Sequence, residues 1–444
     1  ISNLDIYDNR YKKNSMKRSI SLKVKGVIEN QRFNITSRFV PMIGNEVCLT
    51  TQEELDLIYG VIQSESTISI GKSLLEGKDI NIPIDKIFAS HIGIFGNTGS
   101  GKSNTLHKMY YELFQSSFKD YINQKSQFFL IDFNGEYLGE SMFGLSNDDK
   151  EIFNISTRTD KSDKIRITRK YLLDPDLLSI LFDAKPGTQV PFLRAALRKY
   201  KSIETEKEFA DLEVGLLISI LQDRKDIDRV TLEKWIKVGE LLGINNSLLE
   251  PFKECSKELY YGNIKIKNEN GKLVINNDKI TEAGKQYFKF DSVKEELEDK
   301  FKSASEIKKL YYFIEFQRVY VAVYDSKTSE FISPMIKRIE NSLDALDRVI
   351  EVKDNLSDSY KLLNIFSLVN ANQEVTRLLP MLVSKMVYDA HKSEVSSSGS
   401  VKKTIHLIID EAHNILNDVN KNNKDDWKDY RLSVFEEIIK EGRK

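Results

Sequence analysis

The eight residues from Gly96 to Ser103 constrain the fold of this chain more than any other segment. They read Gly-Asn-Thr-Gly-Ser-Gly-Lys-Ser and fit the pattern G-x-x-x-x-G-K-[ST]. The apolar run at 91–95 before them predicts a buried strand, and the apolar spacing over 104–114 after them predicts a helix. This pattern is expected between a strand and a helix. Its context therefore predicts a nucleotide-binding α/β protein rather than an accidental glycine turn.

The residue types in this loop suit phosphate binding. Glycine lets backbone N–H groups turn inward around phosphate oxygens, and the N-terminus of the following helix adds partial positive charge. Lys102 can reach the β- and γ-phosphates, and the hydroxyl of Ser103 can bind Mg²⁺. The residues predicted to hold the nucleotide are Gly96, Asn97, Thr98, Gly99, Ser100, Gly101, Lys102, Ser103 and Asn104.

Composition and charge argue against a strongly basic, a secreted or a membrane-spanning protein. The chain has 444 residues, 30% charged and 40% hydrophobic, which is typical of a soluble protein with two or three domains. Its net charge of −1 gives no global sign of nucleic-acid binding, so any such surface must be local. Cys48 and Cys255 lack metal-ligand spacing and indicate a reducing compartment. The sequence shows neither a membrane-spanning apolar run nor a signal peptide, which predicts a cytoplasmic protein with no membrane partner.

Strand and helix patterns divide the chain into three parts. Alternation and frequent glycine predict a small N-terminal β-barrel over 1–88. An α/β core with a mostly parallel sheet is predicted over 89–149 and 356–444, and a mainly helical insertion over 150–355. The predicted core strands are the nearly continuous apolar runs 127–133, 362–368 and 404–410.

Further local patterns refine this division. In the insertion, a hairpin over 264–275 is predicted with a type I′ turn at Asn270-Gly271. The polar segment 417–429 predicts a mobile loop. Charged amphipathic helices are predicted at 191–200, 212–221 and 294–316 in the insertion, and a helix at 374–391 between core strands.

A second functional pattern ends the last predicted strand. An apolar run precedes Asp410 and Glu411, which downstream of a phosphate-binding loop is the Walker B pattern. Asp410 would hold Mg²⁺ directly or through water, and Glu411 would orient and polarise the attacking water. His413 can hydrogen-bond this acidic pair or can serve only in packing or capping.

Two other segments have alternative interpretations. The run from Asp132 to Tyr137, Asp-Phe-Asn-Gly-Glu-Tyr, can be a strand-ending turn with positive φ at Asn134-Gly135. It can also place Asp132 and Glu136 near the nucleotide, because ligands gather at the carboxyl ends of parallel strands. The alternating basic and apolar residues 164–170 can be a DNA-facing ribbon, although one solvated strand face is favoured.

Four motifs in order resemble the HerA family of the HerA/FtsK ATPases. Asn134 stands where the family's Asp-x-His-Gly-Glu-Tyr motif has histidine, and 38–44 resembles a segment of the family's barrel, the kind shared with ATP synthase subunits. The resemblance covers about 1–145 and 360–444 and is thin between them. The motifs are the loop at 96–103, the segment 132–137, Ile-Asp-Glu-Ala-His-Asn at 409–414 and Glu-Gly-Arg-Lys at 441–444.

The resemblance implies a RecA-like P-loop core of the ASCE class and a homohexameric ring that uses ATP and Mg²⁺ to move double-stranded DNA. It also implies that Arg443 acts across a subunit interface on the transferring phosphoryl group, the alternative being a solvated helix end. Family members work with the nuclease NurA in DNA end resection, or with sirtuin-like or nuclease effectors in bacterial anti-phage defence. The composition, rich in Lys, Asn and Ile, indicates a bacterial source, and the long insertion departs from the compact archaeal members. Both features favour defence.

Two further expectations accompany the resemblance. The chain begins at Ile1, and the family continues beyond the Glu-Gly-Arg-Lys motif with another strand and a tail, so we expect the natural chain to be longer. The competing functional hypothesis is an oligomeric, nucleotide-sensing scaffold that activates a partner enzyme with little movement on DNA. A metabolic P-loop kinase is disfavoured, because kinases rarely combine an Asp-Glu Walker B pattern with a preceding barrel.

Overall fold

The computed structural model describes residues 22–61, 66–74, 77–159, 161–222, 229–261, 263, 265–276, 279–353, 360–398, 401–416 and 426–442. They form two compact units. One comprises the residues up to Asp120 together with Met142–Gly144, and the other comprises Tyr121–Ser141 with Leu145–Gly442.

The first unit contains two small antiparallel hairpins, formed by strands β1 (26–29) and β2 (32–35) and by strands β3 (67–72) and β4 (79–83). A closed barrel requires each strand to pair on both sides, whereas each of these strands pairs only with its hairpin partner among the described residues. The barrel predicted for 1–88 is therefore not confirmed, and 1–21 lie outside the described residues. The elements are β1 Gly26–Glu29, β2 Arg32–Ile35, α1 Gln52–Ile58, β3 Thr67–Lys72, β4 Asp79–Pro83, α2 Ile84–Ile87 and α3 Lys102–Phe114.

The strand predicted at 91–95 is wrong, whereas the helix predicted after the glycine loop is confirmed. The segment 91–95 has no regular secondary structure, and Phe95 is 94% exposed. A strand needs a neighbour for its N–H and C=O groups, and no described strand pairs with this segment. By contrast, α3 buries its apolar face, and Met109 packs against Ile68 and Ile82 of the second hairpin.

The second unit contains most of the helices and a parallel sheet. Its elements, starting with the helix at the boundary between the units, are α4 Lys119–Lys125, β5 Ser126–Asp132, β6 Lys150–Ser156, β7 Ile165–Thr168, α5 Arg169–Leu172, α6 Pro175–Leu181, α7 Gln189–Lys201, α8 Glu206–Leu221, α9 Arg229–Leu242, α10 Asn246–Tyr260, β8 Lys265–Lys267, β9 Leu273–Asn276, β10 Lys279–Ile280, α11 Glu282–Phe288, α12 Phe290–Ser303, α13 Glu306–Tyr324, α14 Ser326–Val349, β11 Ile350–Lys353, β12 Leu363–Asn370, α15 Gln373–Ser398, β13 Thr404–Ile409, α16 His413–Leu416 and α17 Asp426–Glu441.

The main sheet has four parallel strands in the order β13-β5-β12-β6. Three of them are the strands predicted from apolar runs, as expected for strands covered on both faces. The fourth, β6, was not predicted and extends the sheet into the region assigned to the helical insertion. The α/β fold with a mostly parallel sheet is thereby confirmed.

The region after β6 is mainly helical, as predicted, with a shared apolar core. Trp235 of α9 and Phe316 of α13 are fully buried there with ring centroids 5.8 Å apart. The pattern at 294–316 falls on two helices, because Ser305 caps the start of α13 through the N–H of Lys308 at 3.3 Å. The short strands β7 and β11 pair in parallel at the two ends of this region.

Two smaller predictions need correction. The hairpin β8/β9 is present, but only Gly271 of the predicted turn pair has positive φ, so the turn is not type I′. Asn268 organises it instead, its Oδ1 accepting the N–H groups of Asn270 at 3.1 Å and Lys272 at 2.9 Å. At 417–429, α17 begins at Asp426, so the end of the predicted loop is helical, and 417–425 lie outside the described residues. Among the described helices, none has the length and apolar character needed to cross a membrane.

Candidate functional site

The glycine loop of the first unit forms a tight, exposed turn before α3. Gly99 and Gly101 have φ of +77° and +89°, values that side chains disfavour. A Cβ on Gly96 would lie 2.2 Å from Oγ of Ser100, so the loop folds closely over this glycine. Residues 96–101 are all exposed, which leaves the loop backbone accessible to a ligand. This conformation suits an anion-binding nest.

Lys102 and Ser103 begin α3 at the end of this loop. The Nζ of Lys102 lies 3.4 Å from the carbonyl oxygen of Asn97, so the ammonium group folds back over the loop. Ser103 is half-buried and Asn104 is exposed, both in the first helical turn. The helix N-terminus and the ammonium group place positive charge at the same end of α3.

The second unit brings the two acidic motifs to the carboxyl edge of its parallel sheet. Ile409 of β13 lies opposite Ile131 of β5, and the N–H of Asp410 donates to the carbonyl of Ile131 at 3.2 Å. Asp132 and Asp410 therefore terminate neighbouring strands. This edge is where ligands of parallel α/β sheets bind.

The carboxylate of Asp132 accepts hydrogen bonds from the turn that follows β5. Its Oδ1 accepts the backbone N–H groups of Asn134 at 3.2 Å, Gly135 at 2.7 Å and Glu136 at 3.2 Å, and its Oδ2 accepts that of Tyr137 at 3.2 Å. Burial raises the pKa of this carboxyl group, and the four N–H contacts oppose the rise. Gly135 has φ of +78°. The strand-ending turn is thus confirmed, and Glu136 is exposed beside it.

Tyr137 links this turn to the Walker B strand. Its side chain is 1% exposed, and its hydroxyl donates to Oδ2 of Asp410 at 3.0 Å. The other carboxylate oxygen of Asp410, Oδ1, accepts the N–H of Glu411 at 2.9 Å. This role of Tyr137 was not predicted from the sequence, where its one signal is an aromatic residue that closes the Gly-Glu turn.

Glu411 adopts an uncommon backbone conformation beside Asp410. Its φ is +48°, a left-handed value that is unfavourable for glutamate and is often found at functional sites. Its Oε2 lies 2.9 Å from Nδ1 of His413, so of the two alternatives left open for His413, the contact with the acidic pair is observed. The Glu411 side chain is half-buried, while that of His413 is exposed.

Two further basic candidates from the sequence are Arg443 and the segment 164–170. Arg443 lies outside the described residues. In the segment 164–170, Ile165 and Ile167 are buried, and Arg166 pairs with Glu151 at 3.2 Å over the ring of Phe153. Because Arg166 is already neutralised within the protein, the geometry does not favour the DNA-facing ribbon.

A glycine loop before a helix and a parallel sheet with acidic residues at its carboxyl edge are consistent with a RecA-like P-loop core. The family described as "Helicase HerA, central domain" matches residues 68–387. The chain belongs to this family, as its motifs predicted.

Two curated relatives are similar over shorter stretches. The "DNA double-strand break repair helicase HerA" of Sulfurisphaera tokodaii is 29% identical over 172 residues, which are 38% of this chain and 28% of that protein. The "Probable helicase MJECL08" of Methanocaldococcus jannaschii is 30% identical over 135 residues, 30% of this chain and 24% of that protein. The matched region thus spans about a quarter of each relative.

Proposed function

We propose that this protein is an ATP hydrolase that moves along double-stranded DNA. The observation that carries the proposal is the edge formed by Asp410 and Glu411, where one carboxylate is held by two hydrogen bonds and the next residue adopts a left-handed backbone. Membership of a helicase family gives this edge its chemical context. The name of the Sulfurisphaera tokodaii relative supports DNA as the second substrate.

The residues present fit a nucleotide and Mg²⁺. The exposed backbone around Gly99 and Gly101 suits phosphate oxygens, and the Asp410 carboxylate supplies the hard oxygen ligand that Mg²⁺ prefers. Among the described residues, no group of three or more His, Cys, Asp and Glu could hold a metal ion. Mg²⁺ is therefore expected to rely on hydroxyl, water and phosphate oxygens besides Asp410. When bound, it would neutralise charge on the β- and γ-phosphates.

Each candidate residue receives one role in this proposal. Residues 96–104 cradle the phosphates, and Lys102 supplies a fixed charge to them. Ser103 and Asp410 hold Mg²⁺, and Glu411 orients the attacking water. Glu136 lies near the nucleotide. Arg443, supplied by a neighbouring subunit, stabilises charge in the transition state.

The proposal extends to the assembly and its role in the cell. We propose a homohexamer that works with a nuclease or sirtuin-like effector in anti-phage defence, on the basis of the resemblance, the composition and the long helical region. A NurA-like nuclease partner would instead indicate DNA end resection in repair. The adjacent gene distinguishes the two roles. A gene for a NurA-like nuclease would indicate repair, and a gene for a sirtuin-like or other effector would indicate defence.

ATP turnover with and without linear duplex DNA tests the central proposal. We expect duplex DNA to raise the turnover of the wild type several-fold and to support displacement of streptavidin from biotinylated ends. Lys102→Ala should lose ATP binding. Glu411→Gln should bind ATP and hydrolyse it roughly a hundredfold or more slowly, because only the group that orients water is lost.

Two outcomes would change the assignment. If duplex DNA leaves turnover unchanged and no roadblock is displaced, the motor proposal is wrong and the nucleotide-sensing scaffold takes its place. If the wild type neither binds nor hydrolyses ATP, both hypotheses fail. Light scattering of the protein with a non-hydrolysable ATP analogue tests the hexamer separately.

A further inference from the structure

The hydrogen bond between Tyr137 and Asp410 joins two motifs that are far apart in the sequence. The phenol hydroxyl lies 3.0 Å from Oδ2 of Asp410, and the two residues are 273 positions apart. Both are buried, Tyr137 to 1% exposure and Asp410 to 5%. A hydrogen bond to a carboxylate in such a setting is stronger than one between neutral groups in water.

The turn holds Tyr137 in place independently of this bond. The N–H of Tyr137 donates to Oδ2 of Asp132 at 3.2 Å, and three preceding N–H groups donate to Oδ1 of the same carboxylate. Gly135 provides the positive φ that the turn requires. The phenol therefore projects from a backbone that is itself tied to the end of β5.

The two oxygens of Asp410 are held from different directions. Oδ2 accepts from the side chain of Tyr137, and Oδ1 accepts from the backbone N–H of Glu411. These two bonds oppose rotation of the carboxylate. Each oxygen has further lone pairs, so the bonds leave acceptor capacity for a cation.

We propose that Tyr137 is a positioning residue, which sets the orientation of the Asp410 carboxylate for Mg²⁺. This inference rests on the proposed function and assigns a role to the last residue of the Asp-Phe-Asn-Gly-Glu-Tyr segment. Tyr137 would not touch the nucleotide. Its effect on Mg²⁺ affinity would pass through Asp410, as for other residues that orient metal ligands.

The experiment compares Tyr137→Phe with a matched control, Tyr171→Phe. Tyr171 is also buried and donates to an aspartate, Oδ2 of Asp389, at 3.1 Å, but this pair lies on α5 and α15. Each variant keeps its ring and loses one hydroxyl. Both should therefore lose similar thermal stability, and only Tyr137→Phe should affect the cation.

The first measurement is Mn²⁺ binding by electron paramagnetic resonance, on the full chain with a non-hydrolysable ATP analogue. We expect Tyr137→Phe to weaken Mn²⁺ binding about tenfold and Tyr171→Phe to leave it unchanged. The second is the Mg²⁺ concentration that half-saturates ATP turnover, which should rise by a similar factor in Tyr137→Phe alone.

Equal Mn²⁺ affinity in Tyr137→Phe and the wild type would overturn the inference while leaving the proposed function intact. An equal loss of affinity in both variants would also overturn it, because general destabilisation would then explain the effect. A wild type that binds no Mn²⁺ with the nucleotide analogue would overturn this inference and the proposed function together.

Discussion

The indole Nε1 of Trp235 donates a hydrogen bond to the backbone carbonyl of Glu213 at 3.1 Å in the core of the helical region. Both residues are fully buried, and neither side-chain oxygen of Glu213 has a hydrogen-bond partner in the protein. The bond fixes the backbone at Glu213 but leaves its carboxyl group in an apolar setting. Such a group is costly to ionise.

This setting predicts that stability falls as the pH rises. Burial raises the pKa of Glu213 from 4.5 to about 8, and Lys199 only partly offsets the rise. Below pH 4.5 the group is protonated in the folded and unfolded states, so it costs nothing. Between about pH 4.5 and pH 8 only the unfolded state ionises, which removes stability on the order of 5 kcal/mol. Glu213→Met should abolish this loss.

The measurement is the thermal midpoint of the wild type and Glu213→Met at pH 5 and pH 8.5. We expect the advantage of the variant to grow with pH. Glu295→Met provides the control, because Glu295 is exposed on α12 and its replacement should shift the midpoint equally at both pH values. A pH-independent difference for Glu213→Met would contradict the prediction.

Asp132→Asn should destabilise the protein by about 2 kcal/mol, because the amide group would turn a donor towards backbone N–H groups. Both oxygens of Asp132 accept such groups, so neither orientation of asparagine satisfies them all. Asp174→Asn is the matched control, since the N–H groups of Asp176 and Leu177 both donate to its Oδ1, which asparagine retains. Chemical denaturation measures both variants, and equal losses would show that the second oxygen of Asp132 contributes nothing.

Arg338→Lys should cost about 1–3 kcal/mol, because lysine cannot reproduce a forked set of hydrogen bonds. The Nε of Arg338 donates to the carbonyl of Phe182 at 2.6 Å, and its Nη2 donates to that of Asp183 at 2.7 Å. Asp183 has φ of +45°, so these bonds secure an unfavourable backbone. Arg194→Lys should change the unfolding free energy by less than about 1 kcal/mol, because its pair with Asp176 is exposed. Urea denaturation measures the unfolding free energy of both variants. An Arg338→Lys variant as stable as the wild type would contradict the role given to the forked hydrogen bonds.

Glu411→Gly should be more stable than Glu411→Gln by about 1 kcal/mol, although both should lose ATP turnover. Glycine accepts the φ of +48° without the penalty that a side chain carries there. At Glu295, in the middle of α12, the order should be reversed, since glycine is unfavourable in a helix. The thermal midpoints of the glycine and glutamine variants at both positions test whether the order of stability is reversed. The same order at both positions would mean that the backbone of Glu411 is not strained.

The sequence predicted those parts of the fold that depend on continuous local patterns. The strands β5, β12 and β13 were found because their apolar runs match buried parallel strands. The strand β6 was missed because it starts with Lys150, a residue rarely buried. Lys150 is nevertheless 3% exposed, and its ammonium donates to the carbonyls of Gly139 at 3.2 Å and Glu140 at 2.8 Å. Burial lowers its pKa.

The candidate site was predictable by residue type and less so by geometry. Gly99, Gly101 and Gly135 adopt the positive φ that their motifs require, and His413 contacts Glu411. The bond between Tyr137 and Asp410 depends on the pairing of two strands and has no local signature. The strand predicted at 91–95 failed for the same reason, since apolar residues identify a strand only when a neighbour pairs with it.

The strand order of the sheet determines when the sheet can form during synthesis of the chain. The side chain of Asn364 in β12 bonds to the carbonyl of Phe128 in β5 across 236 positions of chain. As the chain leaves the ribosome, β5 therefore waits for its neighbours until the whole helical region has been made, whereas that region can form its own local contacts. Variants that slow folding around Trp235 should thus reduce the soluble yield, while the molecules that do mature retain full specific activity.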